Sequence, residues 1–322
     1  MGERRRIADG LNRRPEGPCA SSRAVLTLLV LLIVFTPACA TLRRNRTADP
    51  ILTSRQLALR GADAVQQKRL DEAASLFEGA IAANPADERP HRQYSEVLWQ
   101  RGRRDEAIRQ MEESLRLSAG DPEVRVRLGQ MYMDRGDLEQ AWNQATAASA
   151  AHRQLASAWA LRGDIENRKG RMDEALTSYH RALSFEPRMT QVQIAVAEIY
   201  RKQNNPQRAL ATLQLMEEQY GTEPVPPEVL KLQGLAFKAQ GRYRQAIRSL
   251  ALASSADPSD VELLYQLADA HFQSGDLTNA GLVAQAALAQ NPNDEASRRI
   301  LADVQASQQH LTAGLHPSVR GY

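Results

Sequence analysis

Small, apolar and turn-forming positions return along this chain at a fixed interval. The stretches "GRMDEALTSYHRALSFEP" (170–187) and "GRYRQAIRSLALASSADP" (241–258) share one order of Gly, Ala, apolar and Pro positions, 71 residues apart. That distance is two periods of 34 plus three, and aligning the Ala-rich segments gives seven units starting at 54, 88, 122, 156, 190, 227 and 261. The three extra residues are Pro224, Val225 and Pro226, between the fifth and sixth units. Position 20 of every unit is Ala: Ala73, Ala107, Ala141, Ala175, Ala209, Ala246 and Ala280. Position 8 is Gly, Ala or Ser throughout, and position 27 is small in all units but the fifth, which has Met216. Position 24 is bulkier in most units: Phe77, Met111, Tyr179, Leu213 and Leu250. Small residues at fixed places let one helix lie close against another.

The remaining signals divide each unit in two. Gly at position 15 (Gly102, Gly136, Gly170, Gly241, Gly275) supplies the backbone freedom for a tight turn. Pro at position 32 (Pro85, Pro187, Pro258, Pro292) ends the second helix. Each unit is therefore expected to be helix, turn, helix, loop, with the fifth unit short of both signals. One such pair cannot bury its own apolar face, so stability must come from stacking on neighbours. Ends of a stack need covers. In "EASRRILADVQASQQ" (295–309), Ile300, Leu301 and Val304 share one side of an otherwise polar helix, which suits a C-terminal cap.

This 34-residue pattern resembles the tetratricopeptide repeat, which has small residues at positions 8, 20 and 27 and Pro at 32. Departures are visible: Trp at position 4 occurs only as Trp159, and Tyr at position 11 only as Tyr132 and Tyr200. The resemblance implies an all-α, right-handed superhelical solenoid of about seven helix-turn-helix units plus a capping helix. The expected layout is 1–39 signal sequence or membrane anchor, 40–53 tether, 54–223 units one to five, 224–226 Pro-rich insert, 227–294 units six and seven, 295–309 capping helix, and 310–322 flexible tail. The insert is stiff and is expected to offset the last two units from the first five.

Composition agrees with helices, since aromatic residues make up 5% of the chain and Ala, Leu, Gln and Arg are abundant. Charge changes the picture more. Residues 1–38 contain six Arg and three acids, and this +3 equals the net charge of the whole chain. The body is formally neutral, which argues against nucleic-acid binding. Residues 24–42, "AVLTLLVLLIVFTPACATL", carry no charge and follow the Arg-rich start, so they read as an export signal or a membrane anchor. Within it, "TPACA" resembles the lipobox of bacterial lipoproteins, which would make Cys39 the lipidated residue, although Thr36 departs from the usual Leu. An uncleaved anchor and simple secretion are the alternatives. All three place the body on the exported side of a bacterial envelope membrane, and the first two would keep it membrane-anchored, through lipid or through the anchor. Arg43, Arg44 and Arg46 would then lie near anionic headgroups or in a solvated linker. Cys19 and Cys39 are the only cysteines, so the mature chain has no disulfide framework.

Catalytic chemistry has no foothold. The six His residues never come at metal-ligand spacing, and the adjacent acids of "RLDEA" and "RMDEA" mark helix starts rather than a catalytic dyad. Gly-rich phosphate loops, G-x-S-x-G and H-E-x-x-H are all missing from the sequence, so no enzyme, metal or cofactor is expected. The resemblance implies that positions 2, 5, 9, 12 and 13 of each first helix line a concave groove. In this chain the resulting partner-binding candidates are Arg89, Arg92, Glu96, Trp99, Gln130, Asn167, Arg201, Lys231, Tyr265 and Asp269. Trp99 could equally pack on the neighbouring unit, Arg89 and Arg92 could be a solvated or ion-paired edge, and Tyr265 and Phe272 could cover the cap. The carboxylate clamp by which some family members hold acidic C-terminal tails is not expected, because Ala58 and Ala62 occupy its first-unit positions. The function implied is an exported, membrane-tethered scaffold that holds a protein or peptide in its groove, in assembly of a pilus, secretion or polysaccharide-export machine. The alternative is a non-catalytic accessory subunit docking an envelope enzyme. Oligomeric state is not fixed by the sequence.

Overall fold

The computed structural model describes residues 49–221 and 223–314. Fifteen helices and no strands occur among them. They run in pairs: α1 Pro50–Gln66 and α2 Leu70–Ala83, α3 Glu88–Gln100 and α4 Arg104–Leu117, α5 Pro122–Arg135 and α6 Leu138–Ala151, α7 Ala156–Arg168 and α8 Met172–Phe185. Then come α9 Thr190–Lys202 and α10 Pro206–Tyr220, α11 Pro227–Ala239 and α12 Tyr243–Ala256, α13 Val261–Gln273 and α14 Leu277–Gln290, and the single α15 Glu295–Gly314. Each helix packs on the next in sequence, and the whole is an all-α repeat superhelix.

The turn inside every unit has one geometry. Position 15 takes a left-handed backbone in all seven units, at Lys68, Gly102, Gly136, Gly170, Asn204, Gly241 and Gly275 (φ from 55° to 91°). The first and fifth units, without Gly there, keep the turn by holding Lys68 and Asn204 in a conformation that Gly adopts freely and Asn tolerates. The loops between units are less uniform. Where Pro occupies position 32, the helix ends two residues earlier, at Ala83, Phe185, Ala256 and Gln290. Proline pushes the residue before it out of the helical region, which ends the helix there. The second unit has Ala119 at that position, and left-handed Ala119 and Gly120 turn the chain instead.

Packing follows the small positions. All seven Ala at position 20 are at most 1% exposed. The position-8 glycines lie under the position-24 side chains of the same unit: a Cβ on Gly61 would sit 2.7 Å from Phe77, one on Gly163 2.5 Å from Tyr179, and one on Gly234 2.5 Å from Leu250. The third unit departs instructively. Its position 24 is Ala145, too small to cover Gly129, and Leu161 of the next unit fills the space, 2.7 Å from such a Cβ.

Several expected boundaries shift. α1 starts at Pro50, capped by Asp49, so residues 50–53 of the expected tether are helical. Proline at the first helical position has no N–H to waste, and the Asp49 carboxylate accepts from Ile51 N at 3.0 Å. α15 runs five residues past 309, into the expected tail. The Pro-rich insert does not interrupt the core: Val225 packs with Ile194, Leu213, Val229 and the fully buried Met216. Met216 is the one large side chain at position 27, and the longer connection beside it leaves room for it. A second cluster passes from Tyr179 through Val196 and Leu210 to Phe237 and Leu267, crossing the same junction. At the far end, Ile300 and Val304 of α15 close over Ala268, Ala280 and Ala284, with Tyr265 and Phe272 against them. No helix among the described residues is long and apolar enough to cross a membrane. The signal or anchor, Cys39 and residues 315–322 lie outside the described residues.

Candidate functional site

First helices of neighbouring units also touch one another directly, in the pairs α1–α3, α5–α7, α9–α11, α11–α13 and α13–α15. Closer approach along this row bends the stack toward it. The row's outward-facing side chains form the candidate groove, and two clefts open on it. One lies between α1 and α3, lined by Arg55, Ala58, Leu59, Ala62, Pro90 and Gln93. Another crosses α9, α11 and α13, lined by Arg201, Lys231, Leu235, Lys238, Glu262 and Gln266.

At the first cleft, the side chain of Arg89 folds back on Asp87, the residue that caps α3. Arg89 Nε and a terminal guanidinium N donate to the two Asp87 oxygens at 2.9 and 2.7 Å. This bidentate contact holds the Asp87 carboxyl below its ordinary range, against the opposing effect of burial. Arg92, one turn on, is exposed and makes no ion pair among the described residues. Glu96, Trp99 and Gln130 come together around a residue that the position rule did not name. Arg127 donates to both Glu96 oxygens at 2.6 and 2.7 Å and to Gln130 Oε1 at 3.4 Å. It also lies 5.9 Å from the centre of the Trp99 ring, with Arg104 at 5.3 Å. Hydrogen bonding to Glu96 pushes the Arg127 guanidinium pKa up. Trp99 is half-buried and packs on the cores of both the first two units and the next pair. Arg127 occupies position 6 of its unit; its only sequence signal was an Arg one turn before Gln130, facing an acid a period earlier.

In the middle of the row, burial raises the Asp164 carboxyl, although it accepts from Tyr179 Oη at 2.7 Å. Asn167 lies beside that tyrosine and opposes the rise that burial causes in its hydroxyl pKa. Arg168 donates to the Met133 carbonyl at 2.9 Å, tying the fourth unit to the third. Arg201 reaches Glu198 at 3.8 Å while its Nε is buried without a partner. Further along, Lys231 bonds Asp260, the cap of α13, at 2.9 Å. Tyr265 and Asp269 meet around Lys238, which donates to Asp269 at 2.8 Å and to Gln266 and sits 6.0 Å from the Tyr265 ring. The groove cations Arg127, Arg168, Lys231 and Lys238 thus join one unit to the next, while Arg55 at the first cleft and Arg92 on α3 are exposed and without ion pairs among the described residues. No group of three or more His, Cys, Asp or Glu is placed to hold a metal among the described residues.

Chemically, this surface offers one largely apolar cleft and one lined mainly by charged and amide side chains, suited to an extended or helical chain. Family models described as tetratricopeptide repeat match residues 64–113, 98–165, 156–188 and 231–295, together more than half of the chain. A curated relative, the BBSome complex member BBS4 of Xenopus tropicalis, is 30% identical over 124 residues, 38% of this chain and 24% of that protein. The match spans about a quarter of the relative's length. Among solved structures, a repeat protein of the same description from Parabacteroides merdae aligns over 79% of this chain and 99% of its own, with TM-score 0.57 and 13% identity. PilF of Pseudomonas aeruginosa aligns over 66% and 96%, with TM-score 0.58 and 13% identity. The C-terminal part of a TPR repeat-containing protein from Cytophaga hutchinsonii aligns over 75% and 98%, with TM-score 0.58 and 14% identity. At these identities the three structures speak for the fold.

Proposed function

The chain belongs to the tetratricopeptide repeat family, and we propose that it works as an exported, membrane-tethered scaffold holding a peptide or helix of a partner protein in its concave groove. The observation that carries this reading is the cleft between α1 and α3. It combines apolar Ala58, Leu59, Ala62 and Pro90 with Arg55 and the amide of Gln93, and Leu59 is 68% exposed. An exposed leucine beside the exposed Arg55 at the first helix pair is a surface that gains by being covered. We further propose that the partner belongs to an envelope assembly machine of the pilus, secretion or polysaccharide-export kind. The Arg-rich start, the apolar run 24–42 and Cys39 support this placement. The scaffold has no chemistry of its own in this reading.

Crosslinking and pulldown in the native envelope test it, comparing wild type with Arg55→Glu and Leu59→Asp. Both variants should capture the partner at least about tenfold less well, a change worth about 1.4 kcal/mol, with helicity unchanged. Equal capture by all three would remove the cleft as the contact surface. Cys39→Ala and globomycin treatment test the tether: a lipoprotein loses membrane association or processing, whereas an uncleaved anchor keeps both its size and its place.

A further inference from the structure

A second concentration of charge lies on the other side of the solenoid. Here α6, α7 and α8 meet in a recess lined by Thr146, Ala150, Arg153, Trp159, Arg162 and Arg181. Trp159 and Arg162 stand at positions 4 and 7 of their unit, on the helix side opposite positions 2, 5, 9 and 12. The Arg162 guanidinium sits between two indoles, 4.9 Å from the centre of Trp142 and 4.7 Å from that of Trp159. Trp142 is also approached by Arg171 at 5.6 Å and Lys169 at 5.8 Å. Arg181 lies 5.7 Å from Trp159 and 5.1 Å from Phe185. The Trp159 ring is fixed by its Nε1, which donates to the Arg153 carbonyl at 2.9 Å.

Among the described residues none of Arg153, Arg162, Lys169, Arg171 and Arg181 makes an ion pair, and the Nε of Arg162 is buried with no hydrogen-bond partner there. The groove differs, because there Arg127, Arg168, Lys231 and Lys238 each hold a carboxylate. Aromatic faces orient a cation and attract it, yet they carry no net charge and leave the mutual repulsion of the cluster in place. Four cations oriented by aromatic rings, with exposed Arg153 beside them and no ion pair among the five, are complementary to a chain that brings several carboxylates at once. We propose that this recess and the adjoining Trp142 rim dock an acidic, Asp/Glu-rich segment of a partner protein, with carboxylates on Arg153 and Arg181 in the recess and on Arg171 at the rim. A flat bilayer surface does not reach half-buried rings in a recess. Nucleic-acid bases would need open ring faces for stacking, and guanidiniums already cover these.

Fluorescence anisotropy of a fluorescein-labelled peptide of alternating Glu and Asp, titrated with the full-length protein in neutral detergent, tests the proposal. The expected result is salt-sensitive binding that weakens at least about tenfold in the double variant Arg171→Gln/Arg181→Gln. The charge-matched control Arg244→Gln/Arg248→Gln, at exposed arginines of α12 that also lack ion pairs, should bind like wild type. Circular dichroism checks that both doubles fold. Equal weakening in the two doubles would mean diffuse attraction only and overturn the proposal. So would absence of binding at about millimolar peptide, or preferential, variant-sensitive binding of phosphatidylglycerol vesicles or single-stranded RNA. Arg55→Glu, at the groove cleft, should leave peptide binding intact, which separates this surface from the groove.

Discussion

Lys68 and Asn204 carry turns that glycine carries in five other units, and the backbone there is left-handed at φ 59° and 55°. A Cβ costs about 1–2 kcal/mol in that region, less for Asn. Lys68→Gly is therefore expected to stabilise the protein by about 0.5–1 kcal/mol, and Asn204→Gly by less. Urea denaturation measures both. The position-8 glycines make the opposite case. Gly163→Ala would drive a methyl into the Tyr179 ring and should cost about 1–3 kcal/mol. Gly281→Ala, whose new Cβ would meet only Val304 at 3.6 Å, should be neutral or gain the helix preference of alanine. Asp164 gives a pH-dependent test. Burial raises its folded-state pKa, so the ionised form costs stability at neutral pH, and that cost fades as pH falls through the raised value. Asp164→Asn, which can still accept from Tyr179, should gain thermal stability at pH 7 relative to wild type and lose that gain in acid.

Several helices begin on an Asp cap, while others, such as those that start at Leu70 and Arg104, have no side-chain cap. Asp87, Asp260, Asp276 and Asp294 each accept from backbone N–H groups at a helix start, and each has a folded-state carboxyl pKa below its ordinary value. Hydrogen bonds to the ionised side chain lower it at Asp87, Asp276 and Asp294; at Asp260 they outweigh burial, the largest single influence, which acts in the opposite direction. With a folded pKa below the unfolded one, the stabilisation is whole above about pH 4 and is lost as pH falls through the folded values. Thermal midpoints should drop on acidification below about pH 4, and Asp260→Asn should flatten that drop. At the C-terminal end, Ile300 and Val304 are 6% and 3% exposed against the last pair. Ile300→Ala should cost about 2–4 kcal/mol and fray α15 first in hydrogen exchange. Most element boundaries were legible in the sequence, because Ala at position 20, Gly at 15 and Pro at 32 each impose a local geometry. The misses have physical causes. Pro50 starts a helix four residues before the repeat register because Asp49 caps it, and the fifth unit turns at Asn204 without glycine. The meeting of Glu96, Trp99 and Gln130 on Arg127 depends on contacts between units, which spacing within one unit does not encode.

The whole molecule is a one-dimensional stack in which every unit leans on its neighbours, so its cores are shared across unit boundaries. That continuity keeps one row of helices facing one way over 49–290, and the groove is a product of the row. Its ion pairs stiffen the joints between units, leaving the first cleft as the part with unspent charge and exposed apolar surface. The most direct test of the groove is photocrosslinking in the native envelope from a benzoylphenylalanine placed at Leu59 or Leu235, with Leu215 and Leu252 of the second-helix surface as comparison sites. Adducts of one defined mass from Leu59 or Leu235, and none of that mass from Leu215 or Leu252, are the result expected of a partner held along the first helices. The same adduct from Leu215 and Leu252, with both groove sites silent, would contradict it.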